Sequence, residues 1–394
     1  MRAYLLTLVA AALALLLLIG TFQVAVDGLG LFGTRLVPTG LFPKDFRIDA
    51  GGDDRLAKSL EIARPRGDLD VAFVGSSRVQ FSFDPRALAN ARGYNAAVRG
   101  GRMIENGWVV RELLERGPKV RRIVWNIDFW ENFGGDEIFL DPKSSPFLHP
   151  RPVLSTLRLL FSYDMVRRNV NALERAARGK LRHVYTTDGF LRVENAAIHA
   201  PIDFVAMPSL RNYLDKSLVS QRARFNANLV RGLSAMQSAL EEARARGVDV
   251  DVVMLPEHAA RLALYREAGL WPQWEEWKQE TAAMIARARQ APGAGRIAAW
   301  DFTALGPVNT ATFPPEQYGH PYFFETLHVR PSVAKKAFAR ITGAPDAEAD
   351  FGRPLEESLS ADARAKERAD LAAWMEAHPA EVADIKLLVE GLKK

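Results

Sequence analysis

The sequence predicts an α/β protein, a three-layer sandwich around a central five-stranded parallel sheet, and three observations carry that expectation. Five short apolar runs, Asp70 to Gly75, Tyr94 to Val98, Arg122 to Ile127, Val248 to Leu255 and Ile297 to Phe302, each end in polar or turn residues, as strands buried on both faces do. Helical spacing fills the intervals: Ile104, Trp108 and Leu113 before the Gly117-Pro118 stop, Phe225, Leu229, Met236 and Leu240 before Gly247, and one further helix from about Ala259 to Arg289. A length of 394 residues is enough to bury one large core and carry appendages. Strands that alternate with helices pair in parallel, and the ligand crevice of such a sheet lies at the carboxyl ends of its strands.

Before the sheet comes an apolar stretch. After Arg2 no charged residue occurs until Asp27, and Ala3 to Gly20 is almost wholly apolar, long enough to span a bilayer core as one helix. A cleaved signal peptide is the competing reading of residues 1–26. The long apolar run and the weak small-residue pattern near Val24 to Val26 favour a retained transmembrane anchor. Because only Arg2 and the terminal amine precede the span, the rest of the chain is expected on the periplasmic side of the inner membrane. Residues 27–66, rich in Gly, Pro and Asp, read as a linker with a short helix near Leu56 to Ala63.

The α/β domain is expected over residues 67–343, interrupted by an insertion at 131–215. That insertion contains Ser144-Ser145-Pro146 and His149-Pro150-Arg151-Pro152 and reads as a lid or substrate-facing subdomain. Residues 344–394 turn rich in Ala, Glu, Lys and Arg and read as a solvated helical tail, with helix starts near Ser360 and after Pro379.

Composition removes several classes of function. There are no cysteines, hence no disulfides, thiolate metal sites or Cys nucleophiles. The 52 basic and 47 acidic residues are interspersed, so the net charge of +5 reads as solvation, and no nucleic-acid partner is expected. His149, His183, His199, His320 and His378 are scattered without metal-ligand spacing. Neither a metal nor any other cofactor is expected.

Four segments can carry chemistry. The first strand runs into Gly75-Ser76-Ser77-Arg78, where glycine allows a tight turn and a serine past a strand end is placed for attack; a helix is expected to begin at Asp84-Pro85. The second runs into Gly100-Gly101 ahead of a helix near Met103, and a glycine N–H there can reach the same carbonyl oxygen. The third ends in Trp125-Asn126-Ile127-Asp128, bringing an amide and a carboxylate to the same edge. The fourth is Glu325-Thr326-Leu327-His328, followed by an amphipathic helix with Val333, Phe338 and Ile341. An acid three residues before a histidine can orient the imidazole so that its other nitrogen faces a serine. Each segment alone is also compatible with a turn, a cap or a surface pair; their order along the chain favours chemistry.

That ordered set resembles the SGNH (GDSL-like) hydrolase superfamily, especially its membrane-anchored cell-envelope branch of DltD-like and alginate O-acetylation proteins. Gly75-Ser76-Ser77 matches the first block with Ser in place of the usual Asp, Gly100 the second-block glycine, Asn126 more loosely the third-block asparagine, and Glu325 with His328 the final Asp-x-x-His. The match covers roughly residues 68 to 343, with the third block lacking its usual Gly-x-Asn-Asp form and Glu replacing Asp in the last. The resemblance implies an SGNH/flavodoxin-like fold, Ser77 as nucleophile, His328 as base, Glu325 as its orienting acid, and an oxyanion hole from the Ser77 and Gly100 N–H groups and Asn126. It implies serine-dependent acyl-ester hydrolysis or O-acyl transfer on a cell-envelope polysaccharide, with an acylated glycan or lipid as substrate and a membrane-bound acyltransferase as partner. A non-catalytic, glycan-binding or assembly role on the same fold is the alternative. Arg78, Asp128, His258 and Asp301 stand at the same strand ends as candidate substrate contacts. Trp271, Trp274 and Trp277, spaced by three, read first as packing and second as a carbohydrate platform.

Overall fold

A computed structural model of the chain describes residues 1–38, 40–43, 45–64, 67–88, 91–133, 145–181, 184–192, 222–312 and 320–392. Helix α1 (Arg2–Val26) is followed by the two-residue strand β1 (Phe46–Arg47) and by α2 (Asp54–Ile62). The main domain then begins with β2 (Leu69–Val74), α3 (Ser77–Ser82), β3 (Gly93–Asn95), α4 (Met103–Arg116) and β4 (Val120–Asn126). The inserted region contributes α5 (Pro152–Leu160), α6 (Tyr163–Ala177), β5 (Val184–Thr186) and β6 (Leu191–Arg192). Helix α7 (Phe225–Ala245), β7 (Asp249–Met254), α8 (Ala259–Glu267), α9 (Trp271–Ala288), β8 (Ile297–Asp301) and α10 (Pro331–Thr342) continue the domain. The chain closes with β9 (Arg353–Pro354), α11 (Leu355–Ser358), α12 (Ala361–Ala377) and α13 (Pro379–Leu392).

The fold is α/β, and its main sheet is mixed and six-stranded in the order β3-β2-β4-β7-β8-β9. This corrects the expectation of a purely parallel, five-stranded sheet. The pairings of β3 with β2, β2 with β4, β4 with β7 and β7 with β8 are parallel, whereas β8 pairs antiparallel with β9. A strand of two residues has no periodicity to read, and Pro354 suits the edge it occupies. Alternation along each strand sends side chains into two cores. Ala72, Val74, Ile123, Trp125, Val250 and Val252 pack under α4, α7 and α9, and Val71, Phe73, Val124 and Val253 pack under α3 and α10.

Three further expectations are revised. The single helix from about Ala259 to Arg289 is two helices, broken at Gly269 (φ +70°) with Pro272 in the first turn of α9. The tail is not a solvated appendage: β9 joins the sheet, and Leu371 of α12 and Ile385 of α13 are fully buried in the larger core. The stretch read as a linker has its expected short helix, α2, and carries β1 as well. β1 pairs with β5 (Phe46 opposite Thr186), and a third cluster joins Val26 at the end of α1 to Phe42, Phe46, Ile48, Ala57, Leu159 and Met165. The insertion expected as a lid is described over 131–133, 145–181 and 184–192, where it carries α5, α6, β5 and β6; 134–144, 182–183 and 193–215, with His183 and His199, lie outside the described residues.

Among the described residues α1 is the one helix long and apolar enough to cross a membrane, and its apolar window is exposed throughout.

Candidate active site

The strand ends β2, β4 and β7 frame the site. β2 finishes at Val74, and Gly75 turns the chain with φ +153°. A Cβ at Gly75 would stand 2.6 Å from Val79 Cγ2 and 3.2 Å from the carbonyl oxygen of Asn126, so the turn lies against β4 only because the residue is glycine. α3 begins at once with Ser77, earlier than the expected start at Asp84-Pro85, where only a single turn of 3-10 helix forms over Pro85–Ala87. Ser76 caps α3: its Oγ accepts from the Arg78 N–H at 3.3 Å and donates to Asp128 Oδ2 at 2.7 Å. Ser76 is therefore buried and engaged. Ser77 keeps partial exposure, and its Oγ lies 2.8 Å from His328 Nε2 across 251 positions of sequence.

His328 is delivered by the loop ahead of α10. Phe323 bridges Val329, Phe324 N–H donates to His328 O at 2.8 Å, and Arg330 N–H donates to Tyr322 O at 2.8 Å, so the segment closes on itself like a hairpin. Two ties fix it to the sheet edge. His258 N–H donates to Thr326 O at 3.0 Å, and Arg78 Nε donates to Leu327 O at 2.9 Å. The Phe81 ring, one turn beyond Ser77, packs 5.2 Å from the imidazole centroid.

Glu325 orients the histidine. Its Oε1 bonds His328 Nδ1 and accepts the His328 N–H at 2.8 Å, while Oε2 accepts the Leu327 N–H at 3.0 Å and stands 3.7 Å from the Arg261 guanidinium. Burial pushes this carboxyl up, but the neighbouring imidazole, its hydrogen bond and Arg261 outweigh burial and hold it at about 2. An ionised Glu325 that accepts the Nδ1 proton leaves the Nε2 lone pair facing the Ser77 hydroxyl, which is the tautomer a general base requires. The Glu-x-x-His spacing thus joins Glu325, His328 and Ser77 in one hydrogen-bonded chain, and the acid reaches both the ring and two loop N–H groups.

Past the end of β2, Val98 N–H donates to Gly75 O at 3.1 Å and extends the β2–β3 pairing beyond the strands. Gly100 follows in a turn at φ +65°, closed by Gly101 N–H on Val98 O at 3.0 Å. Ser77, as the first residue of a helix, has no carbonyl one turn back for its own N–H.

The remaining candidates hold the frame together. Asn126 is fully buried, with Nδ2 donating to Asp128 Oδ1 at 2.8 Å and Oδ1 accepting from Leu255 N–H at 3.1 Å, so its amide ties β4 to β7. Arg78, expected to face substrate, points inward at 1% exposure. It pairs with Asp128 at 2.6 Å and Glu257 at 3.7 Å and also donates to Pro256 O. Burial works against its charge, yet these two carboxylates raise its pKa. Asp128 receives Ser76, Arg78 and Asn126 and is itself fully buried. His258 caps α8: Nδ1 accepts the Ala260 N–H at 3.2 Å and Nε2 lies 3.0 Å from Ala311 O, with burial lowering its pKa to about 4. Asp301 is fully buried, bonded to Thr303 and 3.1 Å from the Lys278 ammonium, which also meets Glu367 of α12 at 2.8 Å. Trp274 and Trp277 are likewise core residues, at 0% and 1% exposure.

Sequence reasoning missed Arg261 beside Glu325 and the role of Ser76 as the partner of Asp128. Nothing in their local sequence marks them; both depend on how α8 and β4 are set against the Ser-His edge. No family model matches the chain, and no curated protein matches its sequence.

Proposed function

We propose that the chain is a serine-dependent acyl-ester enzyme of the SGNH type, anchored in the inner membrane by α1 with its α/β domain on the periplasmic side. The observation that carries the reading is the 2.8 Å contact between Ser77 Oγ and His328 Nε2, backed by Glu325 on the other ring nitrogen. In the reaction, Ser77 Oγ attacks the acyl carbonyl carbon as its proton passes to His328 Nε2. The tetrahedral oxyanion takes the Ser77 and Gly100 N–H groups, and the alcohol leaves with the proton from His328, giving a Ser77 ester. Water, or a glycan hydroxyl, then repeats the proton transfers in reverse and releases the acyl group.

The membrane helix favours a cell-envelope polysaccharide as acceptor and a membrane-bound acyltransferase as the source of acyl groups. The test is turnover of a short-chain aryl ester by the full-length protein in detergent, with and without an oligosaccharide acceptor. Acyl groups on the sugar mark a transferase, release to water alone marks an esterase, and turnover by neither route with wild-type protein favours a glycan-binding or assembly role.

A further inference from the structure

We infer that the outer face of α5 lies in the interface of the bilayer that α1 enters, so that the chain meets the membrane at two places. Ala3 to Gly20 of α1 covers about 27 Å at 1.5 Å per residue, close to the thickness of the hydrocarbon core, so Gly20 marks the level at which the helix leaves it. At that level α5 arrives. A Cβ on Gly20 would stand 3.5 Å from Phe161 Cε1 and 3.9 Å from Leu160 Cδ2. The nine residues of α5 bury Ser155 and Leu159 against the protein and leave Val153, Leu154, Leu157 and, just past the helix, Phe161 at 74, 56, 45 and 40% exposure.

An apolar row of this kind in water is costly, and here it continues the apolar surface of the spanning helix. Tyr163, 81% exposed at the start of α6, suits the headgroup level. Lipid is the occupant because the face adjoins α1 where α1 leaves the hydrocarbon. The inference rests on α1 crossing a bilayer and is independent of the acyl chemistry.

The absence of cysteine makes the test direct, since a single introduced Cys is the one labelled site. Full-length L157C, carrying an environment-sensitive fluorophore, is reconstituted in phosphatidylcholine–phosphatidylglycerol vesicles with or without nitroxide-bearing lipid. L154C gives an independent reading should L157C fold poorly, L13C in α1 reports the hydrocarbon, and E280C on α9 reports the domain surface. Quenching by the nitroxide lipid should be at least about threefold stronger at positions 154 and 157 than at 280, as expected of an interfacial helix. Equal quenching at 157 and 280 overturns the inference, as does protection of 157 from aqueous iodide without lipid quenching, which indicates a second copy on this face. An unquenched L13C overturns it as well, because α1 is then outside the bilayer.

Discussion

Two adjacent serines differ in what surrounds them. Ser76 is buried, donates to Asp128 and caps α3, while Ser77 is partly exposed and meets His328. Ser77→Ala and His328→Ala should each lower kcat/KM by about 10³-fold or more in a steady-state ester assay, with little added loss in the double variant, because the groups act as a unit. Glu325→Gln keeps an acceptor for the loop N–H groups but loses the charge that fixes the tautomer. Its loss should be smaller, about tenfold or more, and unchanged turnover would remove Glu325 from the mechanism. Ser76→Ala should lose about 2–4 kcal/mol of stability by urea denaturation, since it removes both a cap and a hydrogen bond to the buried Asp128 carboxylate, and should keep the chemistry because the nucleophile stays. Sequence alone placed Gly75, Ser77, Glu325 and His328 by type and spacing. It could not tell which polar residues at the strand ends look outward, and Arg78, Asp128, His258 and Asp301 all turned out to be held inside.

At the scale of elements, the site depends on how tightly the turn after β2 sits on β4. Gly75→Ala places a Cβ 2.6 Å from Val79 Cγ2 at a φ that L residues rarely adopt, so it should cost about 1–3 kcal/mol in urea denaturation and disturb Ser77 as well. Arg78→Met leaves Asp128 and Glu257 buried without their cation and frees the His328 loop from one of its ties; about 3–5 kcal/mol should be lost. The five short apolar runs were legible as strands because burial on both faces leaves continuous hydrophobic stretches. β9 and the break at Gly269 were not legible. The first is two residues long, and the second interrupts a pattern that keeps helical spacing on both sides of a Gly that only the left-handed turn requires.

Across the whole molecule, the C-terminal tail packs onto the main core, and the cluster at the end of α1 joins α1 to β1, α2, α5 and α6. Lys278 of α9 is buried between Asp301 of β8 and Glu367 of α12, an arrangement that no local pattern in an Ala- and Glu-rich tail discloses. Two groups at the His328 loop link stability to pH with the same sign. His258, held at about 4, binds its proton less readily folded than unfolded, so its contribution is complete above about 6.5 and falls away as pH drops from 6.5 through 4. Glu325, held at about 2 against an ordinary 4.5, contributes fully above 4.5 and loses its contribution as pH falls from there through 2. The share of stability that His258 carries should therefore fade between pH 6.5 and 4, and His258→Asn, which keeps a capping side chain, should remove that component from the pH dependence of the thermal midpoint in that window only.

The most direct measurement is covalent labelling of the full-length protein by a serine-directed phosphonate, followed by intact mass and peptide mapping. A nucleophilic Ser77 activated by His328 predicts one adduct, located on Ser77, retained in Ser76→Ala and absent in Ser77→Ala and His328→Ala. A hydroxyl and an imidazole that never share a proton in solution would leave the wild-type protein unlabelled, or labelled equally when Ser77 is gone, and either result contradicts the account.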